Sequence, residues 1–262
     1  MNYKERFILL LTNLFKKYNL GEISGVTLEG HPEALHFKLA NKTYEFISDF
    51  SGEIPLKDES DILKFPVMYW RNERRYIEMK NLIKEKQVHN PVGMKIKNMS
   101  VTEKTDNILI KELDIIEWIL EDRIIAVYAN GFKSKYFNII ASTKNNIKVS
   151  MEIGRVKNGS DISMHEIIAQ KGVITDQPVD TQTAHYPVYV YKDNSSPEIY
   201  NDIDFELYGL EYYDIARIRY IFNVFQNVDK QYLIIERYNR LKSIVESIYK
   251  SAEKNKKIFM EK

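Results

Sequence analysis

The stretch "TDNILIKELDIIEWILED" (105–122) carries carboxylates at intervals along an apolar repeat, so a catalytic helix is the first possibility to weigh. Glu117 and Glu121 stand at i, i+4, a spacing that puts both on one side of a helix, where such pairs are ordinarily solvated. "WRNERRYIEMK" sets Arg71, Arg74 and Arg75 beside aromatic residues. That cluster could grip a phosphate or an acidic sugar, or it is a helix start whose charges are paired. The five histidines (His31, His36, His89, His165 and His185) are scattered, with no HExxH or other metal spacing. The chain has no GxSxG elbow, no P-loop and no cysteine. Disulfides, thiolate nucleophiles and Cys-ligated metals are therefore excluded, and a reducing compartment is expected. No pair of its ten glycines is spaced as GxG, so the dinucleotide fingerprint is missing.

The elements that must hold these residues can be read from periodicity. Near the start, Phe7, Leu10, Leu11, Leu14 and Phe15 recur at helical spacing. "KKYN" follows this run where a signal peptide would have small residues, so the run reads as an amphipathic helix docked on its own domain. "ALHFKLANKTYEFIS" reads as a hairpin turning at Asn41-Lys42, and the turn-rich "DFSGEIPLKDES" (49–60) is the expected domain boundary. A second helix is expected over 72–87, then a strand through Val92, Met94 and Ile96, then the helix at 105. Six strand signals follow: "RIIAVYAN", "KYFNIIAS", "NIKVSMEIG", "HEIIAQ", "GVITD" and "YPVYVYK". "ASTKNN" and "GRVKNGSD" carry turn residues, so consecutive strands are expected to pair as antiparallel hairpins. A final helix spans about 229–254. The expected class is α+β: a large, mostly antiparallel sheet with helices on one face (61–262), preceded by a small helix-plus-hairpin module (1–60), with no complete Rossmann domain.

Net charge is +1, from 38 basic and 37 acidic residues, which gives no pull toward nucleic acid or a membrane surface. Nothing approaches the roughly 20 apolar residues of a membrane span. A cytoplasmic protein without a metal is expected.

Several strings in order resemble the C-terminal domain of the glucose–fructose oxidoreductase / inositol dehydrogenase (Gfo/Idh/MocA) family. "FPVMYWRNERRYIEMKNLIKEKQVHNPVGMKIK" is similar to the segment that opens that domain, with Arg71 at the family's strand-ending Arg and Leu82-Ile83 and Pro91 in its turn. Lys86 and His89 replace the turn's glycines. "KELDIIEWIL" resembles the family's HxxDxxxWL helix, with Asp114 and Trp118 in register. "GVITDQPVDTQTAHYPVYVY" and "SIVESIYKSAEKNKKI" resemble its late strand pair and closing helix.

The resemblance covers about residues 64–262 and implies a substrate-binding and oligomerisation domain lacking the NAD(P)-binding half. It puts Lys111 where the family's catalytic His stands and Asn107 where its Asp stands. Lys would need its pKa lowered by about three units to act as a base near neutral pH, and Asn cannot titrate. Glu85-Lys86, the nearest string to the family's Glu-Lys-Pro, falls after the matched Arg and reads as a surface charge pair. The resemblance thus implies a non-catalytic accessory or scaffold subunit that binds no cofactor alone. It would act through its open sheet face as a homodimer, or with a full-length dehydrogenase in sugar or natural-product metabolism. One alternative is an oxidoreductase subunit using NAD(P) from a partner's Rossmann domain, with Arg71, Asn107, Lys111 and Asp114 at the substrate and Lys111 as candidate base. The other is a stand-alone ligand-binding module.

Overall fold

The computed structural model describes residues 3–29, 34–39, 42–48, 50, 62–132, 135–177, 187–192, 196–201, 208–227 and 230–260. The turn expected at 41–42, most of the boundary at 49–60, and His31 and His185 lie wholly or partly outside these residues. The chain packs as two units: residues 1–73 with 203–240, and residues 74–202 with 241–262.

The first unit is a four-stranded sheet ordered β1 (Ile23–Glu29), β2 (Ala34–Leu39), β3 (Lys42–Ile47), β4 (Leu63–Pro66). The arms of the expected hairpin pair antiparallel, Leu39 opposite Lys42, while β4 joins β3 in parallel. Helix α1 (Tyr3–Lys17) buries Phe7, Leu11 and Phe15 from the expected stripe. Phe37 stacks on Tyr44 and Phe46, and Phe225 closes the ring cluster from helix α4 (Tyr212–Gln226). That aromatic packing is why residues 203–240, far along the chain, join the first unit rather than leaving it at residues 1–60. A 3-10 turn, Tyr69–Asn72, ends its first stretch of chain.

The second unit holds α2 (Arg74–Lys84), β5 (Pro91–Ser100), α3 (Thr105–Leu120), β6 (Ile124–Phe132), β7 (Tyr136–Thr143), β8 (Lys148–Arg155), β9 (Ile162–Ala169), β10 (Gly172–Thr175), β11 (Val188–Tyr191) and β12 (Glu198–Tyr200). Helix α5 (Gln231–Lys254) contributes its part from Leu241 onward, and β13 (Ile258–Phe259) follows it. The strands form one sheet ordered β12-β11-β10-β9-β5-β8-β7-β6-β13, antiparallel throughout except at β5/β8. The α+β class with a mostly antiparallel sheet is as expected from the pattern of strands bunched between helices.

The hairpin expectation fails at one place. β8 and β9 are consecutive in sequence but not adjacent, because β5 lies between them. The reason is visible at the end of β5, where the Val101 N–H and the Ser100 hydroxyl both donate to the Asp161 carboxylate. "GRVKNGSD" is thus tied past β5 rather than folded into a turn. Along β5, Met94, Ile96 and Asn98 face the helices, while Lys95 faces the other way. α3 buries Ile108, Ile115, Ile116 and Ile119 on this sheet and meets α2 alongside. Among the described residues the helices lie on one face of this sheet, and the other, referred to below as the open face, has no helix on it.

Candidate functional site

Between α3, α2 and the sheet runs a line of polar side chains where an apolar core would be expected. The Asn98 amide on β5 donates to Glu112 Oε1 on α3 (2.5 Å). Glu112 Oε2 meets His165 Nε2 from β9 at 2.7 Å, and His165 Nδ1 meets Asp176 Oδ2 at 2.8 Å. Arg75 on α2 completes the line, its Nη1 donating to Asp176 Oδ2 at 3.1 Å. Asp176 Oδ1 also accepts the backbone N–H of His165. The Tyr76 ring stands edge-on to the imidazole, centroids 5.0 Å apart, with the Arg75 guanidinium 4.4 Å from the Tyr76 centroid. Glu112, His165 and Asp176 are at most 1% exposed.

Burying four ionisable groups is tolerable only if they pair, and here two anions alternate with two cations. Burial alone would push the His165 imidazole down. The Asp176 and Glu112 carboxylates, one on each ring nitrogen, override it and raise it to about 9. Burial likewise works to raise Glu112, but the His165 charge and hydrogen bond, with Lys111 and Asn98 adding, draw it down to about 2. Asp176 is also lowered, through His165 and then Arg75, against the opposing effect of burial. The imidazole is thus an imidazolium at neutral pH with both nitrogens donating. It has no lone pair with which to take a proton, and it is closed to solvent. The cluster holds α2, α3 and the sheet together.

The residues expected to form a site fall as follows. Asn107, Lys111 and Asp114, at spacings of four and three, share one side of α3. Asn107 and Asp114 are buried, and Lys111 is half-buried with its ammonium 5.9 Å from the Tyr76 ring centroid. Arg71 is half-buried in the 3-10 turn, which belongs to the first unit. Of its neighbours, Arg75 is the buried cation above and Arg74 pairs with Glu78 one helical turn on (3.5 Å). That bears out paired charges for these two arginines. Glu112, His165, Asp176 and Asn98 were not singled out as a group by sequence reasoning. Among the described residues no three His, Asp or Glu side chains are placed so that they could hold a metal ion.

The strand-to-helix connection that could cradle a pyrophosphate, Val101–Lys104 between β5 and α3, contains no glycine, carries Glu103, and lacks a capping side chain at Lys104.

The open face presents a different chemistry. Strand registers set Glu166, Lys95, Ser150 and Ile140 in one row across β9, β5, β8 and β7. Lys95 pairs with Glu166 at 2.9 Å and, in the next row, Lys97 with Glu152 at 3.6 Å. Ile140 and Ile199 are each 55% exposed.

No protein-family model and no curated protein sequence matches the chain. Solved structures do. An oxidoreductase from Agrobacterium radiobacter, in complex with NAD+, L-tartaric acid and magnesium, is similar at 12% identity and a TM-score of 0.57, over 76% of this chain and 66% of that one. A probable dehydrogenase from Thermotoga maritima is similar at 13% identity and a TM-score of 0.57, over 77% and 66%. A scyllo-inositol dehydrogenase from Lactobacillus casei, with NAD(H) and scyllo-inositol, gives 13% identity and a TM-score of 0.55, over 76% and 65%.

What is shared is the fold. These neighbours are oxidoreductases of the type the sequence resembles, and the chain spans just under two thirds of their length. Among the described residues no helix is long and apolar enough to cross a membrane.

Proposed function

We propose that this chain is a non-catalytic relative of the sugar-dehydrogenase substrate domain, acting in the cytoplasm as an accessory or scaffold subunit through the open face of its nine-stranded sheet. It would pair with a second copy or with a full-length dehydrogenase of the same fold, and would bind no nicotinamide cofactor by itself. The observation that carries this reading is the contrast between the two faces of the sheet. On the helix face the titratable groups are consumed by one another. The residue at the position of the family's catalytic His, Lys111, lies toward Tyr76 and adds to the field on Glu112. On the open face, Ile140 is exposed two strands from Lys95 and Ile199 is exposed near the far edge of the same sheet, which with the two Lys–Glu pairs gives the mixture of apolar and polar surface that interfaces use.

The test is light scattering on the full chain, alone and mixed with a dehydrogenase of the neighbouring fold. Association that is lost in Ile140→Lys is expected. A strictly monomeric chain under both conditions would overturn the reading.

A further inference from the structure

The edge of the large sheet at β6 is closed by a device made from the end of α5 and the residues after it. The helix stops at Asn255, which takes a left-handed φ of 45°, and the chain doubles back as β13. Ile258 pairs with Val127 and Phe259 with Ala126, and the Met260 N–H donates to the Ile125 carbonyl (2.9 Å). Where the short strand runs out, a side chain takes over. The Ser251 hydroxyl, fully buried, accepts the Ala129 N–H (2.9 Å) and donates to the Lys256 carbonyl (2.7 Å). The Tyr128 hydroxyl donates to the Asn255 amide oxygen (2.7 Å), fastening the turn. Ile125, Val127 and Ala129 are alternate residues, the ones whose backbone groups point away from β7. Ile125 and Val127 find their outward partners in the residues after the helix, and Ala129 finds its own in Ser251 of α5 itself.

We propose that Lys256–Met260 is an edge guard. It closes β6 to strand addition, and its release exposes an edge that takes up the β6 edge of a second copy of this chain. Two features of the edge argue for that occupant. β6 reads IIAVYANGF, with no charged residue and no proline. Two copies can therefore meet antiparallel without like charges opposed, on a segment of the composition that pairs readily when uncovered. The guard is also slight: a two-residue strand held against a nine-residue one, so it opens at far lower cost than the β6/β7 ladder. This pairing uses the edge of the sheet and is independent of any association through its open face.

The chain has no cysteine, so a lock can be tested cleanly. In the full chain, Ala126→Cys/Phe259→Cys places two thiols at directly opposed positions of the β6/β13 pair. Ile258→Pro/Met260→Pro removes two donors from the guard. Light scattering on the proline variant is expected to give at least twice the wild-type mass, with amide exchange at Ile125–Ala129 slowed in the associate relative to its diluted form. On gentle warming, the reduced cysteine variant should associate as wild type does, and the oxidised one should lose that association. A folded proline variant of wild-type mass would overturn the proposal. So would an associate without slowed exchange in β6, or equal association of the oxidised and reduced cysteine variant. If the proline variant does not fold, the cysteine pair decides alone.

Discussion

Losing the His165 proton would undo the charge balance of the buried line and leave two carboxylates facing a neutral ring. The folded imidazole stands near 9 against an ordinary value of 6.5. At about 1.4 kcal/mol per factor of ten, that difference is worth roughly 3 kcal/mol. The sign follows from its direction. A folded value above the unfolded one contributes stability that is fully present below about 6.5 and is lost as pH rises through about 9. Glu112, near 2 against an ordinary 4.5, contributes stability that is present above about 4.5 and is lost as pH falls toward 2. The two describe one interaction from its two ends and are not added. The second unit should therefore be most stable between about pH 4.5 and 6.5.

Trp118, on α3, reports this unit. Urea denaturation followed through its fluorescence in a Trp70→Phe background should show a midpoint about 1–3 M lower at pH 9.5 than at pH 6. In His165→Gln that alkaline decline should vanish, at a cost of about 3–5 kcal/mol at pH 6 from the uncompensated carboxylates. A wild-type midpoint that is flat from pH 6 to 9.5, or an unchanged decline in His165→Gln, would refute the reasoning.

Asn98→Ala removes the donor to Glu112 Oε1 and should cost roughly 1.5–3 kcal/mol by calorimetry, since the acceptor is charged and buried. Lys111→Ala should lower stability by only about 0.5–1 kcal/mol, the worth of a cation over an aromatic ring, and should leave the turnover of any dehydrogenase complex unchanged. Ile140→Lys should stay within about 0.5 kcal/mol of wild type in denaturant while losing association, because the side chain touches solvent.

How much of this was legible in the sequence differs by level. Strand and helix identity came from periodicity: α3 starts at Thr105 as expected through the repeat of Leu113, Ile116 and Leu120, but it ends at Leu120, where Glu121 turns left-handed (φ 49°) and leaves the helix. Strand order was not legible. β5 enters between β8 and β9 through Asp161, a long-range tie that local turn residues do not announce. The share of residues 203–240 in the first unit depends on Phe225 reaching a ring cluster formed near the N-terminus, again a contact with no local signature. The buried ion line did leave a trace. Asn98 is in phase with Met94 and Ile96, His165 with Ile167, and Glu112 with Ile108 and Ile115, all core positions. Polar residues in core phase on three elements point to a buried network, but nothing in the sequence says that they meet. Reading the histidines as scattered missed this, because spacing along the chain says nothing of pairing across a sheet.

The proposed role turns on whether this chain alone carries the cofactor chemistry of its fold neighbours. The direct measurement is a calorimetric titration of NAD+, NADH, NADP+ and NADPH into the isolated full chain. No saturable binding up to millimolar nucleotide is predicted. Micromolar affinity for any one of the four would contradict the account.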